Sequence, residues 1–262
     1  MTKKKTGGSP PQLWLNAGLP ALGVVLALTL WWLATIIFGL EPFYLPAPAD
    51  VVTAYQRLPS FLVEQAGVTL METAIGFAIG ATGGIAIAVL FAASRTVERM
   101  VMPLIAAVNA VPKAALAPLL LVWIGLNIQA KIVLVVLLCF FPVLVSTMAG
   151  LTSLPNDLRE LAASLSASWW QTFVKVRLAW ALPQLFVGLK VASSLAIIGA
   201  VIAELQYPDK GLGAVVVTSS QSADTPLAFA AIVMLAVMGA GLFYLVVALE
   251  RTLVPWARSI QS

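Results

Sequence analysis

Apolar residues along this chain come in long runs separated by short charged or proline-rich breaks. The runs cover about Leu19–Leu40, Val68–Ala93, Val101–Ile124, Ile132–Gly150, Leu185–Leu205 and Leu227–Leu249. A bilayer-crossing helix needs about 20 mainly apolar residues. The pattern therefore predicts an all-α polytopic membrane protein with about six transmembrane helices. The first run exceeds the roughly 7–15 apolar residues of a signal-peptide core and reads as a retained helix. The second carries Gly76, Gly80, Gly83 and Gly84, a spacing that lets helices approach closely in lipid. The third contains Asn109, Pro112, Lys113 and Pro118 and is expected to be kinked or interrupted. Pro142 lies inside the fourth.

The breaks divide the chain into three parts. Residues 1–18, basic and then rich in Gly, Ser and Pro, read as a disordered N-terminus. Residues 19–250 form the membrane domain, and 251–262 a short tail. After the first run, Pro42, Pro46, Pro48 and Pro59 exclude a further span. Ala49–Arg57 fits a short surface helix with Asp50 near its positive end. Between the last two runs, Tyr207–Pro226 reads as an outside segment in which Gly211 and Gly213 serve a turn.

Charge supplies the orientation. With the N-terminus inside, the inner segments hold Lys3, Lys4, Lys5, Arg95, Arg99, Arg159, Lys175, Arg177, Arg251 and Arg258; the outer ones hold Arg57, Lys131 and Lys210. The excess of Lys and Arg on one side places both termini in the cytoplasm.

Composition narrows the chemistry. The 262 residues are 61% hydrophobic and 10% charged, with a net charge of +4. The scattered cations at segment ends do not suggest nucleic-acid binding. Histidine is absent, which removes the usual proton shuttle and the commonest metal ligand. The single cysteine, Cys139, sits in an apolar run and reads as a packing residue. No catalytic residues, metal site or cofactor are expected.

The break from Asp157 to Pro183 is longer than a turn between spans requires. Asp157 and Glu160 fit a capping-box start, and Leu158, Leu161, Ala162 and Leu165 share one face at helical spacing. Ser166 and Ser168 interrupt that helix. Trp169, Trp170, Phe173, Val174 and Val176 form a second apolar surface, ending in Lys175 and Arg177. The pattern predicts two short helices along the membrane surface. Taken alone, it fits equally an interfacial element with tryptophans at headgroup level and a docking element for a partner.

This stretch resembles the cytoplasmic EAA loop of ATP-binding-cassette importer permeases. Glu160 and Ala162 match its start, Val176 and Leu178 its end. Ser166 stands where that family usually has glycine, and Ala179 where it usually has proline; Pro183 fits. The loop then covers 155–183. Elsewhere, FYLPAPADVV, ETAIGFAIGATGGIAIAV, PLIAAVNAVPKAALAPLLLVWIGLNIQAKI and the run from Gly211 to Trp256 are similar, in order, to nitrate/sulfonate/taurine-type permeases. The resemblance implies a type I importer permease of the inner membrane. A second copy of the permease would complete the pathway. Two ATPase subunits would bind below, and a periplasmic or extracellular solute-binding protein would deliver substrate. The residues implied for ATPase coupling are Glu160, Leu161, Ala162, Leu165 and Ser166. The chain has no GxxxxGK[ST] loop, so ATP would be bound and hydrolysed by the partner subunit.

Polar residues inside the spans are candidate pathway residues. Lys113 and Asn109 would contact an anionic substrate, or else pair with carboxylate or backbone oxygens. Glu204 would belong to an outer gate or binding-protein contact, or else form a solvated helix end. Glu72 is expected to pair or to lie near the outer surface, and Lys190 to snorkel. The resemblance favours nitrate, taurine, an alkanesulfonate or a related organic anion as substrate. An aromatic nutrient, such as a pyrimidine vitamin precursor or a flavin, is the alternative. A stand-alone ion-coupled carrier would show ionisable relays and internal repeats, neither of which is evident, and a scaffold without transport is a third class.

Overall fold

The computed structural model describes residues 11–256. Among them every regular element is helical. Helix α1 spans Pro11–Ile37, α2 Pro48–Arg57, α3 Pro59–Ala92, α4 Arg95–Asn109, α5 Ala117–Ile124 and α6 Ile128–Thr152. Then follow α7 (Asn156–Ser164), α8 (Trp169–Gln171), α9 (Leu178–Gln206), α10 (Leu212–Gln221) and α11 (Thr225–Leu253). Helix α1 begins inside the segment expected to be disordered; residues 1–10 of that segment, and the tail from 257, lie outside the described residues.

Four stretches are long and apolar enough to cross a bilayer: Pro59–Ala92, Ile128–Thr152, Trp169–Gln206 and Thr225–Leu253. A fifth is a broken span, Thr96–Asn109 plus Lys113–Ile124, bent by 73°. The interruption expected in the third apolar run is therefore present. Pro112 has no N–H to give a helix and disfavours helical geometry at Val111 before it. In α1 the apolar stretch Ala21–Ile37 is shorter.

The core is a three-helix slab in which α6 packs along both α3 and α9. Small residues make the close approach possible. A Cβ on Gly76 would sit 2.5 Å from Val135 Cβ, one on Gly80 2.9 Å from Val136 O, and one on Gly84 2.8 Å from Phe140 O. Gly83 faces Phe140 at ordinary contact distance, so the functional spacing is the i, i+4, i+8 stripe 76–80–84. In lipid, where apolar surface gains little by leaving the tails, such contact is what holds helices together. Cys139 is buried in this seam, as expected of a packing residue.

Helix α11 lies at the flank, its apolar window only 6% buried. Short α2 packs on it through Val51 and Ala54. Asp50 accepts from Ala47 N at 2.9 Å, the helix-start role expected of it. Arg57 pairs with Asp224, which also caps α11 by accepting from Leu227 N.

Two expectations are corrected. Tyr207–Pro226 is not a simple outside segment: it contains α10, whose Leu212, Ala214 and Val215 are buried against α3, α9 and α11. The second surface helix is also absent as a separate element. From Trp169 the chain turns through α8 and a π-helical turn, Thr172–Arg177, directly into α9. Ala179, unlike a proline, keeps its N–H and can stay in the helix.

Candidate functional site

Helix α7 is a short amphipathic rod at the end of the slab where α3 and α6 finish. Its expected capping box does not form: Pro155 is the N-cap, without a side-chain bond, and Asp157 sits in the first turn. Ala162 is buried, whereas Leu161 and Leu165 are 55% and 73% exposed and Glu160 is exposed. The five residues expected to couple are thus one inward alanine with an outward apolar and acidic face. Burying two exposed leucines is worth about 1.5–3 kcal/mol each, enough to matter to a complex.

The end of α7 is a Schellman motif. Ser166 N donates to Ala163 O at 2.9 Å and Ala167 N to Ala162 O at 3.0 Å. Ser166 has φ +52°, the left-handed position that glycine usually fills. The serine therefore does not reroute the turn. Ser168 then starts the next element: its Oγ accepts from Gln171 N, and its own N–H donates to Gln171 Oε1 at 2.8 Å. The S-x-x-Q spacing at 168–171 is the sequence signal of that capping box.

Behind α7 the chain is fastened to the spans. Phe173 is buried with Ala88, Ala92, Leu144, Met148, Leu151 and Ala181. Trp169 stacks on it, rings 5.2 Å apart, while Trp170 points outward, 67% exposed. Arg177 Nε donates to Leu151 O at 2.7 Å and Nη1 to Ala92 O at 3.1 Å. Trp180 Nε1 donates to Ser153 Oγ at 3.2 Å.

At the bend of the broken span, Lys113 Nζ donates to Asn109 O at 2.9 Å and to Asn109 Oδ1 at 3.0 Å. It lies 4.8 Å from the Phe141 ring centroid. No carboxylate pairs with it among the described residues. The structure thus brings Asn109 and Lys113 together on an accessible surface, with the backbone-oxygen pairing that sequence reasoning had allowed.

Glu204 lies elsewhere, toward the opposite end of α9, and is wholly buried rather than solvated. It accepts from Thr69 Oγ1 and from Gly213 N, each at 2.6 Å. Leu212 N donates to Thr69 Oγ1 and Gly211 N to Gln65 Oε1, both at 2.8 Å. Beside this lies Lys131, also buried. It is 3.7 Å from Glu72, pairs with Asp209 and donates to Lys210 O at 3.0 Å. Gly211, at φ +106°, leaves room for Glu204: a Cβ there would fall 1.9 Å from Oε1. The cluster stitches α3, α6, α9 and the start of α10 into one unit. The expected pairing of Glu72 is found, with Lys131 as partner. Lys131 itself was placed among outer loop charges and is instead interior. The signal was present in the sequence: Gln65, Thr69 and Glu72 are polar at i, i+4, i+7, one face of an otherwise apolar helix.

Lys190 does not simply snorkel; its Nζ meets Glu250 of α11 at 2.7 Å. No cluster of metal-ligating side chains occurs among the described residues.

Comparison with known proteins agrees with the resemblance read from the sequence. Residues 80–258 match the family described as "Binding-protein-dependent transport system inner membrane component". The chain is 34% identical to the riboflavin transport system permease protein of Chloroflexus aurantiacus, over 94% of this chain and 92% of that one. It is 32% identical to the formylaminopyrimidine transport permease protein of Halalkalibacterium halodurans, over 91% and 96%. It is also 32% identical to the putative aliphatic sulfonates transport permease protein of Bacillus subtilis, over 83% and 80%.

Proposed function

This chain belongs to the binding-protein-dependent transport system inner membrane components, and we propose that it is the pathway-forming subunit of an ATP-driven importer for a small organic or inorganic anion. The observation that carries the coupling is the exposed face of α7. A membrane chain that leaves Leu161 and Leu165 uncovered beside Glu160, on a rod fastened to the spans, is built to receive a partner. That partner is the ATPase subunit, which binds and hydrolyses ATP. Two copies of the permease and two ATPases form the working unit. The α7 end faces the cytoplasm, as do both termini, and a solute-binding protein docks at the opposite end. Closure of the ATPases displaces α7 and, through it, the inner ends of the spans.

The anion reading rests on Lys113. A cation at the bend of a broken span, held by Asn109 and lacking a carboxylate partner among the described residues, retains positive potential for an anionic solute. The sulfonate permease relative supports it. A second reading, an aromatic heterocycle as cargo, is supported by the riboflavin and formylaminopyrimidine relatives. Glu204 serves the pathway indirectly in either case, by holding the turn into α10.

The test is purification of the tagged chain from its native membrane in mild detergent, with partner identification and an ATPase assay. A stoichiometric ATPase, absent from the Leu161→Asp/Leu165→Asp variant, is the expected result. Transport in liposomes driven by an ion gradient, with no ATPase bound, would overturn it. The companion binding protein, titrated with taurine, methanesulfonate, nitrate and riboflavin, separates the two cargo readings.

A further inference from the structure

Among the groups that fasten the α7 region to the spans, one side chain reaches the ends of two helices. Helix α3 ends at Ala92 and α6 at Thr152. The last carbonyls of a helix have no N–H partner within it, and together they form a negative pole that favours a cation. Arg177 serves both poles at once, giving Nε to Leu151 O at 2.7 Å and Nη1 to Ala92 O at 3.1 Å. A guanidinium offers rigid donors in different directions; an ammonium is a point charge on a flexible stem.

The approach from the α7 side is equally defined. Helix α7 packs on the Thr172–Arg177 turn. Trp169, Phe173 and Arg177 follow one another at four-residue intervals. The Trp169 ring lies nearly parallel to Phe173, at 12°, and the Arg177 guanidinium sits 5.7 Å from the Phe173 ring centroid. The π-helical turn adds a residue to the helix circuit, which rotates everything before it by roughly 100° relative to an α-helical register. That rotation sets Phe173 and Arg177 against the helix ends while Trp169 remains at the surface. A cavity of about 270 Å³ lies beside this contact, lined by Arg159 of α7 and by Ala92, Leu154, Trp169, Phe173 and Arg177 among others.

We propose that Arg177 is the positioning residue through which displacement of α7 reaches α3 and α6, acting by its two carbonyl bonds rather than by contact with solute or nucleotide. This rests on the ATP-driven reading above. Arg177 ties three elements whose relative motion opens or closes the pathway. Without it, the ATPases bind and turn over while the spans fail to follow.

The experiment uses the full complex, purified with its ATPase partner, carrying a spin label at Ser60→Cys near the start of α3. The inter-copy label distance is measured with ADP and with ATP plus vanadate. With Arg177 intact the distance shifts between the two states. In Arg177→Gln the ATPase still co-purifies and hydrolyses ATP, but the shift is lost. Arg177→Lys, which keeps the charge and satisfies the two carbonyls less rigidly, retains a reduced shift and keeps the inference testable if the glutamine variant does not fold. A full shift in either variant overturns the proposal, as does loss of ATPase binding in Arg177→Lys. If the Arg177 protein brings no ATPase with it, the importer reading itself has failed and the proposal falls with it, a result distinct from an uncoupled variant.

Discussion

The two ends of the helical slab are built on opposite principles. At the far end, polar groups are buried and largely paired: Glu204 with Thr69 and Gly213, Lys131 with Glu72 and Asp209, with Glu72 Oε2 left without a hydrogen bond. At the α7 end, apolar groups are exposed and unanswered: Leu161, Leu165 and Trp170 face outward. Paired polar groups in a low-dielectric interior favour one arrangement of the helices that carry them. Exposed leucines specify nothing until something covers them. The far end therefore constrains how its helices pack, and the α7 end leaves an apolar face open.

The comparison is broken most severely by removing the only cation of the buried cluster. Lys131→Met leaves the buried Glu72 without its cation, while the more exposed Asp209 keeps access to solvent. Breaking one side of a buried ion pair costs about 3–5 kcal/mol. The expected outcome is loss of monodisperse protein, or a large fall in thermal midpoint in detergent. Glu72→Gln added to Lys131→Met should recover part of that loss, because one stranded charge is gone. Equal stability of the single variant and the parent would mean that the cluster does not hold the helices.

The reciprocal change belongs at the other end. Leu161→Asp/Leu165→Asp alters side chains that touch little in the isolated chain, and surface substitutions usually stay within about 0.5 kcal/mol. The thermal midpoint should stay put while the ATPase partner disappears from the purified complex. A variant that unfolds instead would show that this face already packs within the permease, and the contrast between the ends would vanish.

How far the sequence disclosed these two regions depends on distance along the chain. The spans were visible because hydropathy is local, and the break at Pro112 because proline is local. The α7 face was visible because Leu161 and Leu165 are one helical turn apart. The burial of Glu204 is not legible in the sequence because its partners are remote: Thr69 is 135 residues away, and only folding places it there. At the end of an apolar run beside Gln206 and Tyr207, a glutamate looks solvated. Lys131 was misplaced for the same reason, since a lysine at the edge of a span scores as a loop charge. The 65–69–72 stripe alone announced an interior polar site. The continuity of Trp169–Gln206 was hidden because the π turn disturbs the periodicity on which a helix reading depends.

A milder test of the far end is Gly211→Ala. The added Cβ would meet Glu204 Oε1, and φ +106° is itself unfavourable for a side chain. Held strain of this kind costs about 1–3 kcal/mol. Glu204 is fixed by two hydrogen bonds and cannot swing aside without giving them up. A reduced thermal midpoint, with ATPase binding unchanged, would separate the two ends again. Unchanged stability would mean that the carboxylate has slack the geometry does not suggest.

The smallest effect is expected at Ser166, and it runs in the stabilising direction. A non-glycine residue in the left-handed region costs roughly 1–2 kcal/mol, while glycine adds back roughly 0.5–1 kcal/mol through the freedom it loses on folding. Ser166→Gly should therefore stabilise the α7 terminus by about 0.5–1 kcal/mol, the difference between these terms. Global unfolding is the wrong readout, because α7 is a local element that can open alone. Amide exchange is the right one: Ser166 and Ala167 donate the two bonds of the Schellman turn, so slower exchange of residues 166 and 167 in the glycine variant reports the gain. Ser166→Val, β-branched at positive φ, should accelerate both. If glycine and valine exchange alike, the serine is not strained. The turn would then be held from outside, by Phe173 and Trp169 behind it, and the rigidity of α7 would come from its anchorage rather than from its own cap.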